Sequence, residues 1–139
     1  MDQPTPSSPL SPPRHIIPWI LVVDDEVQIG NIISESLASD QLAVVHARDA
    51  ESALRVLAER STEPLLVLVD VLLPHMDGLT LARKISTRLQ RSKIAIISGH
   101  LTDLSWWPAD LREVTFLPKP FRVTDLTALL QTAREEYAK

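Results

Sequence analysis

The stretch LLVLVDVLLPHMDG, residues 65–78, joins an apolar run that is typical of a buried β-strand to a carboxylate, Asp70. An ionised carboxylate is costly to bury unless it has a partner or a metal ion. We therefore expect Asp70 to lie at the end of a strand, where residues from elsewhere in the chain compensate its charge. The rest of the sequence has to supply those residues.

The overall composition is typical of one soluble globular domain. The chain has 139 residues, of which 45% are apolar and 23% are charged. Its formal net charge of −4 provides no basic surplus of the kind that binds phosphate backbones, so we expect no direct nucleic-acid binding. The absence of cysteine excludes disulfide bonds and thiolate metal sites and suits a reducing compartment.

The N-terminal region differs from the rest of the chain. Its first 13 residues, MDQPTPSSPLSPP, contain five prolines and three serines and too few apolar residues for a core. We expect residues 1–17 to be a disordered tail and residues 18–139 to form the domain. The most apolar run near the N-terminus, residues 16–23, is far shorter than the ~20 residues that a membrane helix needs. We therefore expect no membrane span and a cytoplasmic location.

Five short apolar runs alternate with segments whose apolar residues recur at helical spacing. The runs are WILVVD (19–24), LAVVHA (42–47), LLVLVD (65–70), IAIIS (94–98) and TFL (115–117). They are rich in Val, Ile and Leu with little polar alternation, which is typical of parallel strands buried on both faces. Because parallel strands need crossover helices, the pattern predicts an α/β fold with a doubly wound, five-stranded parallel sheet in the flavodoxin-like order 2-1-3-4-5.

The segment HLTDLSWWPADLREV, residues 100–114, departs from this regular alternation. Trp106 and Trp107 stand directly before Pro108, which disfavours helical geometry at Trp107 and removes a backbone donor. We expect the fourth helix to be short, broken or irregular. The two tryptophans are either core residues or an exposed contact, and the sequence leaves both alternatives open.

Acidic residues stand at the ends of two of the predicted strands. Asp24, Asp25 and Glu26 end the first strand and Asp70 ends the third. The carboxyl ends of parallel strands lie at the same edge of a sheet, so the three aspartates can converge. Two like charges about 4 Å apart repel by roughly 4 kcal/mol at an effective dielectric near 20, so the cluster needs a cation. Oxygen ligands with room for water favour Mg²⁺.

The same edge receives a hydroxyl and an ammonium group. Ser98 ends the fourth strand, and Lys119 follows the fifth in FLPKPF, residues 116–121. Alone, a turn serine and a solvated lysine are equally good interpretations of these two residues. Together with the acidic cluster they indicate phosphoryl transfer, in which the metal ion and Lys119 neutralise phosphoryl oxygens while a carboxylate attacks phosphorus. The four histidines, His15, His46, His75 and His100, lack metal-ligand spacing, and we expect them to be solvated.

Four motifs, VVDDE, LVDVLLPHMDG, IISG and LPKPF, follow one another along the chain. In this combination, over about residues 19–137, the sequence resembles the receiver domain of bacterial two-component response regulators, including chemotaxis regulators. The resemblance implies that the chain is a signalling domain and not an enzyme. It also implies that Asp70 accepts a phosphoryl group from a histidine of a partner kinase or phosphotransfer protein.

The resemblance further implies a role for each residue of the metal site. Asp25 would ligate Mg²⁺ directly, and Asp24 would act mainly through water. Asp70 and the backbone carbonyl of Leu72 would supply further ligands.

The resemblance also implies how phosphorylation is detected. Lys119 would pair with the phosphoryl oxygens, aimed by a Lys119–Pro120 step that is often cis in the family. Ser98 would hydrogen-bond to the phosphorylated aspartate, and Phe116 would be the aromatic side chain that then swings inward.

Several alternatives remain open at this point. The chain is either a stand-alone regulator or phosphorelay shuttle, or a piece of a hybrid kinase or longer regulator. We expect a downstream protein partner, and a homodimer through the face of the fourth helix, fifth strand and fifth helix. The alternative function is an aspartyl-phosphate phosphohydrolase, although such enzymes commonly carry a second aspartate where this chain has Leu72. A third alternative is a binding module that keeps the fold without phosphate signalling.

Overall fold

A computed structural model describes residues 17–99, 108–111 and 113–139 of the chain. The strands are β1 (Trp19–Val23), β2 (Ala43–Ala47), β3 (Leu66–Asp70), β4 (Lys93–Ser98) and β5 (Thr115–Pro118). The α-helices are α1 (Val27–Ser36), α2 (Ala50–Glu59), α3 (Gly78–Ser86) and α4 (Val123–Ala138), and single 3-10 turns span Ala38–Asp40 and Ala109–Leu111. Among these described helices, none combines the length and apolar character needed to cross a membrane.

The five strands form one parallel sheet in the order β2-β1-β3-β4-β5. This confirms the predicted flavodoxin-like fold. The register pairs Val23 with Val69, Asp70 with Ile97, and Ser98 with Pro118. The carboxyl ends of β1, β3, β4 and β5 therefore meet at one edge of the sheet.

Helices cover the sheet on both faces and bury the strands completely at its centre. All five residues of β1 and of β3 are buried, which explains their unbroken apolar sequences. Successive side chains alternate between the faces, so that Val22 packs with α1 and α4 while Val23 packs with α2 and α3. Full burial of each Leu, Ile or Val side chain contributes about 1.5–3 kcal/mol, so these two layers hold the sheet together.

Two aspartates fix the starts of helices at the carboxyl edge. Asp49 Oδ1 accepts the N–H of Ser52 at 2.7 Å at the start of α2, and Asp77 Oδ1 accepts the N–H of Thr80 at 2.9 Å at the start of α3. Gly78 lies against β3 so closely that a Cβ there would be 2.0 Å from the carbonyl oxygen of Asp70. Only glycine allows this approach of α3 to the strand.

The opposite, amino edge of the sheet is held by Glu63. Its carboxylate accepts the N–H groups of Gln90 at 3.0 Å, Arg91 at 2.8 Å and Ser92 at 3.1 Å, and also the hydroxyl of Ser92 at 3.1 Å. Burial alone would raise the pKa of Glu63, but these hydrogen bonds together lower it. The hydroxyl of Tyr137 donates to the Glu63 carbonyl at 2.9 Å, which ties the end of α4 to this edge.

The connection between β4 and β5 is described at Gly99 and over residues 108–111 and 113–114. There, the side chain of Leu111 in the 3-10 turn is 1% exposed, and Asp110 Oδ2 lies 2.8 Å from Nε of Arg83 in α3. The predicted positions of Trp106 and Trp107, and most of the predicted irregular fourth helix, lie outside the described residues. The same is true of the tail predicted over residues 1–17, except for Ile17.

Candidate functional site

The residues that follow β1 form a tight acidic turn, residues 24–26, which we call the acid turn. Asp24 is fully buried, and its N–H donates to the carbonyl of Ala47 at 3.0 Å. Its Oδ1 accepts the N–H of Glu26 at 2.9 Å, while Asp25 is exposed. The turn therefore presents one buried and one accessible carboxylate side by side.

Asp70 ends β3 and is only 5% exposed. Its Oδ1 accepts the N–H of Leu72 at 3.3 Å. Burial raises the pKa of Asp70, the neighbouring carboxylate of Asp24 raises it further, and Lys119 acts in the opposite direction without reversing the shift. The protein thus holds a carboxylate here under conditions that disfavour its charge.

Asp24, Asp25 and Asp70 converge as the sequence predicts. Each offers one carboxylate oxygen, and these oxygens all lie within 4.8 Å of one another. The buried Asp24 Oδ2 faces the Lys119 ammonium but accepts no well-formed hydrogen bond from the described part of the chain. Hard oxygen donors with an incompletely neutralised charge fit Mg²⁺. The role of the Leu72 carbonyl as a further ligand remains a prediction.

Lys119 joins the acid turn to β3. Its Nζ lies 2.9 Å from Asp24 Oδ2, 3.1 Å from Glu26 Oε1 and 3.4 Å from Asp70 Oδ2. Burial works against the charge of Lys119, but the adjacent carboxylates of Asp24 and Glu26 raise its pKa above the ordinary value. Lys119 is therefore a fixed positive charge, and the Lys119–Pro120 peptide bond is cis, as the resemblance implies.

Ser98 and Phe116 also reach this edge. Ser98 is fully buried, and its carbonyl accepts the N–H of Lys119 at 2.9 Å. Phe116 is partly buried in β5 and pairs in register with Ile96 of β4. Their parts in detecting phosphorylation remain predictions.

The sequence did not predict the contacts of His46 and Glu26. We expected His46 to be solvated, and this was wrong, because it lies partly buried in β2 with Nε2 2.7 Å from the carbonyl oxygen of Asp24. The signal was its position inside the apolar run LAVVHA, one residue before the strand ends. Glu26 shares Lys119 with the two aspartates. Its place directly after Asp25 put it at this edge, but no role was assigned to it from the sequence.

Comparison with known proteins agrees with the geometry. Residues 20–131 match the family model of the response regulator receiver domain. The chain is 30% identical over 120 residues to the DNA-binding transcriptional regulator NtrC of Escherichia coli (strain K12), covering 85% of this chain and 25% of that protein. It is 32% identical over 121 residues to the sensor kinase CckA of Brucella abortus, covering 84% of this chain and 12% of that protein.

A solved structure gives the same result. The signal receiver domain of an HD domain-containing protein from Pseudomonas fluorescens Pf-5 is similar, with a TM-score of 0.77 and 30% sequence identity. The match covers 88% of this chain and 90% of that chain.

The fold and the site define a doubly wound α/β domain with clustered carboxylates and a lysine at the carboxyl edge of its sheet. Within that class, the chain belongs to the receiver domain family of two-component response regulators. It spans 25% of NtrC and 12% of CckA, so the family match concerns the receiver domain and not the rest of those proteins.

Proposed function

We propose that Asp70 is the phosphoacceptor of this receiver domain. A carboxylate oxygen of Asp70 forms a bond to phosphorus while the bond between phosphorus and a nitrogen of the donor histidine breaks, and the imidazole leaves with the electron pair. The observation that carries this proposal is the convergence of Asp24, Asp25 and Asp70 oxygens within 4.8 Å, with Lys119 Nζ 3.4 Å from Asp70 Oδ2.

The neighbouring residues supply the electrostatics of this step. Asp25 and Asp70 would hold Mg²⁺ directly and Asp24 mainly through water, and the ion would supply positive charge for the phosphoryl oxygens. Lys119 already stands beside Asp70 with a raised pKa, so its ammonium is ready to pair with an oxygen of the incoming group. Asp25 is the exposed member of the cluster and is the one that a ligand from solvent reaches first.

Ser98 and Phe116 are proposed to convert phosphorylation into a change of surface. The Ser98 hydroxyl donates to the phosphoryl group, and Phe116 turns inward behind it. The burial of Ser98 at the same edge, and the place of Phe116 on the adjacent strand, support this assignment. A tenfold shift between two conformations requires only about 1.4 kcal/mol, which one charge-assisted hydrogen bond supplies.

We further propose the partners and location that follow from this role. The donor is a histidine kinase or a histidine phosphotransfer protein, and the output is a protein partner in the cytoplasm. A homodimer would use the face that includes β5 and α4. The net charge of −4 favours protein partners over direct contact with nucleic acid. We propose that residues 18–139 form the receiver domain.

Phosphorylation by a small donor tests the proposal. The protein is incubated with Mg²⁺ and acetyl phosphate, and its intact mass is measured. We expect the mass of one phosphoryl group to be gained by the wild type and by Asp77→Asn, a matched control at the exposed cap of α3, and not by Asp70→Asn.

Three results would contradict the proposal. These are a wild type that gains no mass, an Asp70→Asn variant that gains as much as the wild type, and steady turnover of many phosphate esters per protein. The last would favour the phosphohydrolase, for which Leu72, standing two residues after Asp70, offers no acid.

A further inference from the structure

The side chain of His46 forms a hydrogen bond to the backbone of the acid turn. It belongs to β2, where it pairs in register with Val22, and its Nε2 is 2.7 Å from the carbonyl oxygen of Asp24. A carbonyl only accepts hydrogen bonds, so Nε2 carries the hydrogen. Because the N–H of Asp24 donates to Ala47 at 3.0 Å, the end of β2 holds both polar backbone groups of Asp24.

Gly30 makes the space for the His46 ring. It lies within α1 and is buried. A Cβ at this position would be 2.6 Å from His46 Nδ1 and 2.8 Å from His46 Cγ, closer than side chains pack. Glycine in the middle of a helix is less favourable than alanine. Gly30 therefore lowers the stability of α1 at the position where the imidazole ring packs.

We propose that His46 and Gly30 are a positioning pair that fixes the acid turn for metal binding. His46 sets the orientation of the peptide group between Asp24 and Asp25, from which both carboxylates project, and Gly30 admits the ring that does this. His46 is a positioning residue, because its hydrogen bond is to the backbone of Asp24. The inference rests on the proposed function, since it concerns the same carboxylates.

The competing interpretation is that His46 only fills space between β2 and α1. A side chain that fills space can be replaced by an apolar one of similar size, whereas a positioning residue needs its donor. His46→Leu removes the donor and keeps an apolar side chain. His46→Gln keeps an N–H donor on a side chain of similar length. Gly30→Ala leaves the donor in place but displaces the ring.

Mg²⁺ binding to the unphosphorylated protein distinguishes the two interpretations. Affinity is measured by titration calorimetry with MgCl₂, and folding is checked by circular dichroism. We expect His46→Leu and Gly30→Ala to weaken Mg²⁺ binding roughly tenfold, as the loss of outer contacts does at metal sites. His46→Gln should bind within about threefold of the wild type.

A double substitution tests the contact between Gly30 and the His46 ring through the melting temperature. Gly30→Ala should lower the melting temperature when His46 is present, because the new Cβ meets the ring. In a His46→Ala background the same substitution should raise the melting temperature, because the space is free and alanine favours the helix. This reversal of sign remains measurable even if one single variant folds poorly.

The outcomes separate failure of this inference from failure of the proposed function. If the wild type binds Mg²⁺ and His46→Leu binds it equally well, the positioning role is overturned and the proposed function stands. A Gly30→Ala substitution that raises the melting temperature in both backgrounds also overturns the pair. If the wild type binds no Mg²⁺, the metal-dependent function is overturned, and the inference falls with it.

Discussion

Glu63 at the amino edge of the sheet and Asp70 at the carboxyl edge are both carboxylates, and their surroundings shift their pKa values in opposite directions. At the amino edge, Glu63 receives three backbone N–H groups and a hydroxyl, and its pKa is lowered. At the carboxyl edge, Asp70 receives one N–H at 3.3 Å and shares a lysine with Asp24 and Glu26, and its pKa is raised. The amino edge is built for stability, while the carboxyl edge keeps an unsatisfied charge available for a ligand.

The close approach of α3 to β3 gives the largest expected effect at the carboxyl edge. Gly78→Ala should lower the free energy of unfolding by about 3 kcal/mol, because the new Cβ would meet the Asp70 carbonyl at 2.0 Å and backbone has to move. Urea unfolding measures this. Gly99→Ala is the control, since its Cβ would lie 3.6 Å from Lys119 Cβ, an ordinary contact. Equal effects of the two substitutions would contradict this reading of Gly78.

Removing the carboxylate at the amino edge tests whether that edge is structural. Glu63→Ala should lower the free energy of unfolding by about 2 kcal/mol, because the N–H groups of Gln90, Arg91 and Ser92 lose their acceptor. Glu59→Ala, at an exposed position in α2, should change it by less than about 0.5 kcal/mol. Phosphorylation of Asp70 should be retained in both variants, and its loss in Glu63→Ala alone would show that the edges are not independent.

Neutralising Asp70 should have the opposite sign. Without Mg²⁺, in the presence of EDTA, Asp70→Asn should raise the free energy of unfolding by an amount on the order of 1 kcal/mol. The reason is that burial and the like charge of Asp24 both disfavour the Asp70 carboxylate, and Lys119 compensates this only in part. Adding Mg²⁺ should stabilise the wild type more than the variant. A variant less stable than the wild type in EDTA would mean that Lys119 already compensates the cluster fully.

The smallest expected effect is a difference between the two edges in how the free energy of unfolding depends on pH. The pKa of Glu63 lies below its ordinary 4.5, so its stabilisation is present above pH 4.5 and is lost as the pH falls through the lowered pKa. The pKa of Asp70 lies above its ordinary 3.8, so the native state loses stability as the pH rises from 3.8 through the raised pKa.

Two variants make this difference measurable. At neutral pH and without Mg²⁺, Glu63→Gln should be less stable than the wild type, and Asp70→Asn more stable. Both differences should shrink toward zero on acidification, because protonation then makes each wild-type carboxyl resemble its amide replacement. Urea unfolding from neutral pH downward measures both. If either difference grows in acid, the direction assigned to that pKa is wrong.

The carboxyl edge could be predicted from sequence, because topology alone brings its residues together. In a parallel sheet, a residue that follows an apolar run lies at the same edge as every other such residue. Asp24, Asp70 and Lys119 were therefore predicted to converge although Lys119 is separated by 49 residues from Asp70. The assignment needed the order of the strands and no detail of the loops.

The amino edge and the support of the acid turn could not be predicted in this way. The Glu63 carboxylate accepts the N–H of Ser92, which is 29 residues later in the chain. The direction of such a loop N–H group depends on the local turn. His46 contacts a carbonyl group, and the sequence does not encode which way a carbonyl points. The space that Gly30 leaves for the His46 ring depends on the distance between a helix and a strand, which only packing determines.

The two chain ends of the described domain lie together at the amino edge. Ile17 and Tyr137 line one small cleft there, and α4 ends beside it. A tag, fluorophore or neighbouring domain joined directly at Ile17 or at the end of α4 would be attached on the side of the molecule away from Asp70. A conformational change that links the phosphoacceptor to such an attachment has to extend over the length of a strand, roughly 17 Å, through packed side chains.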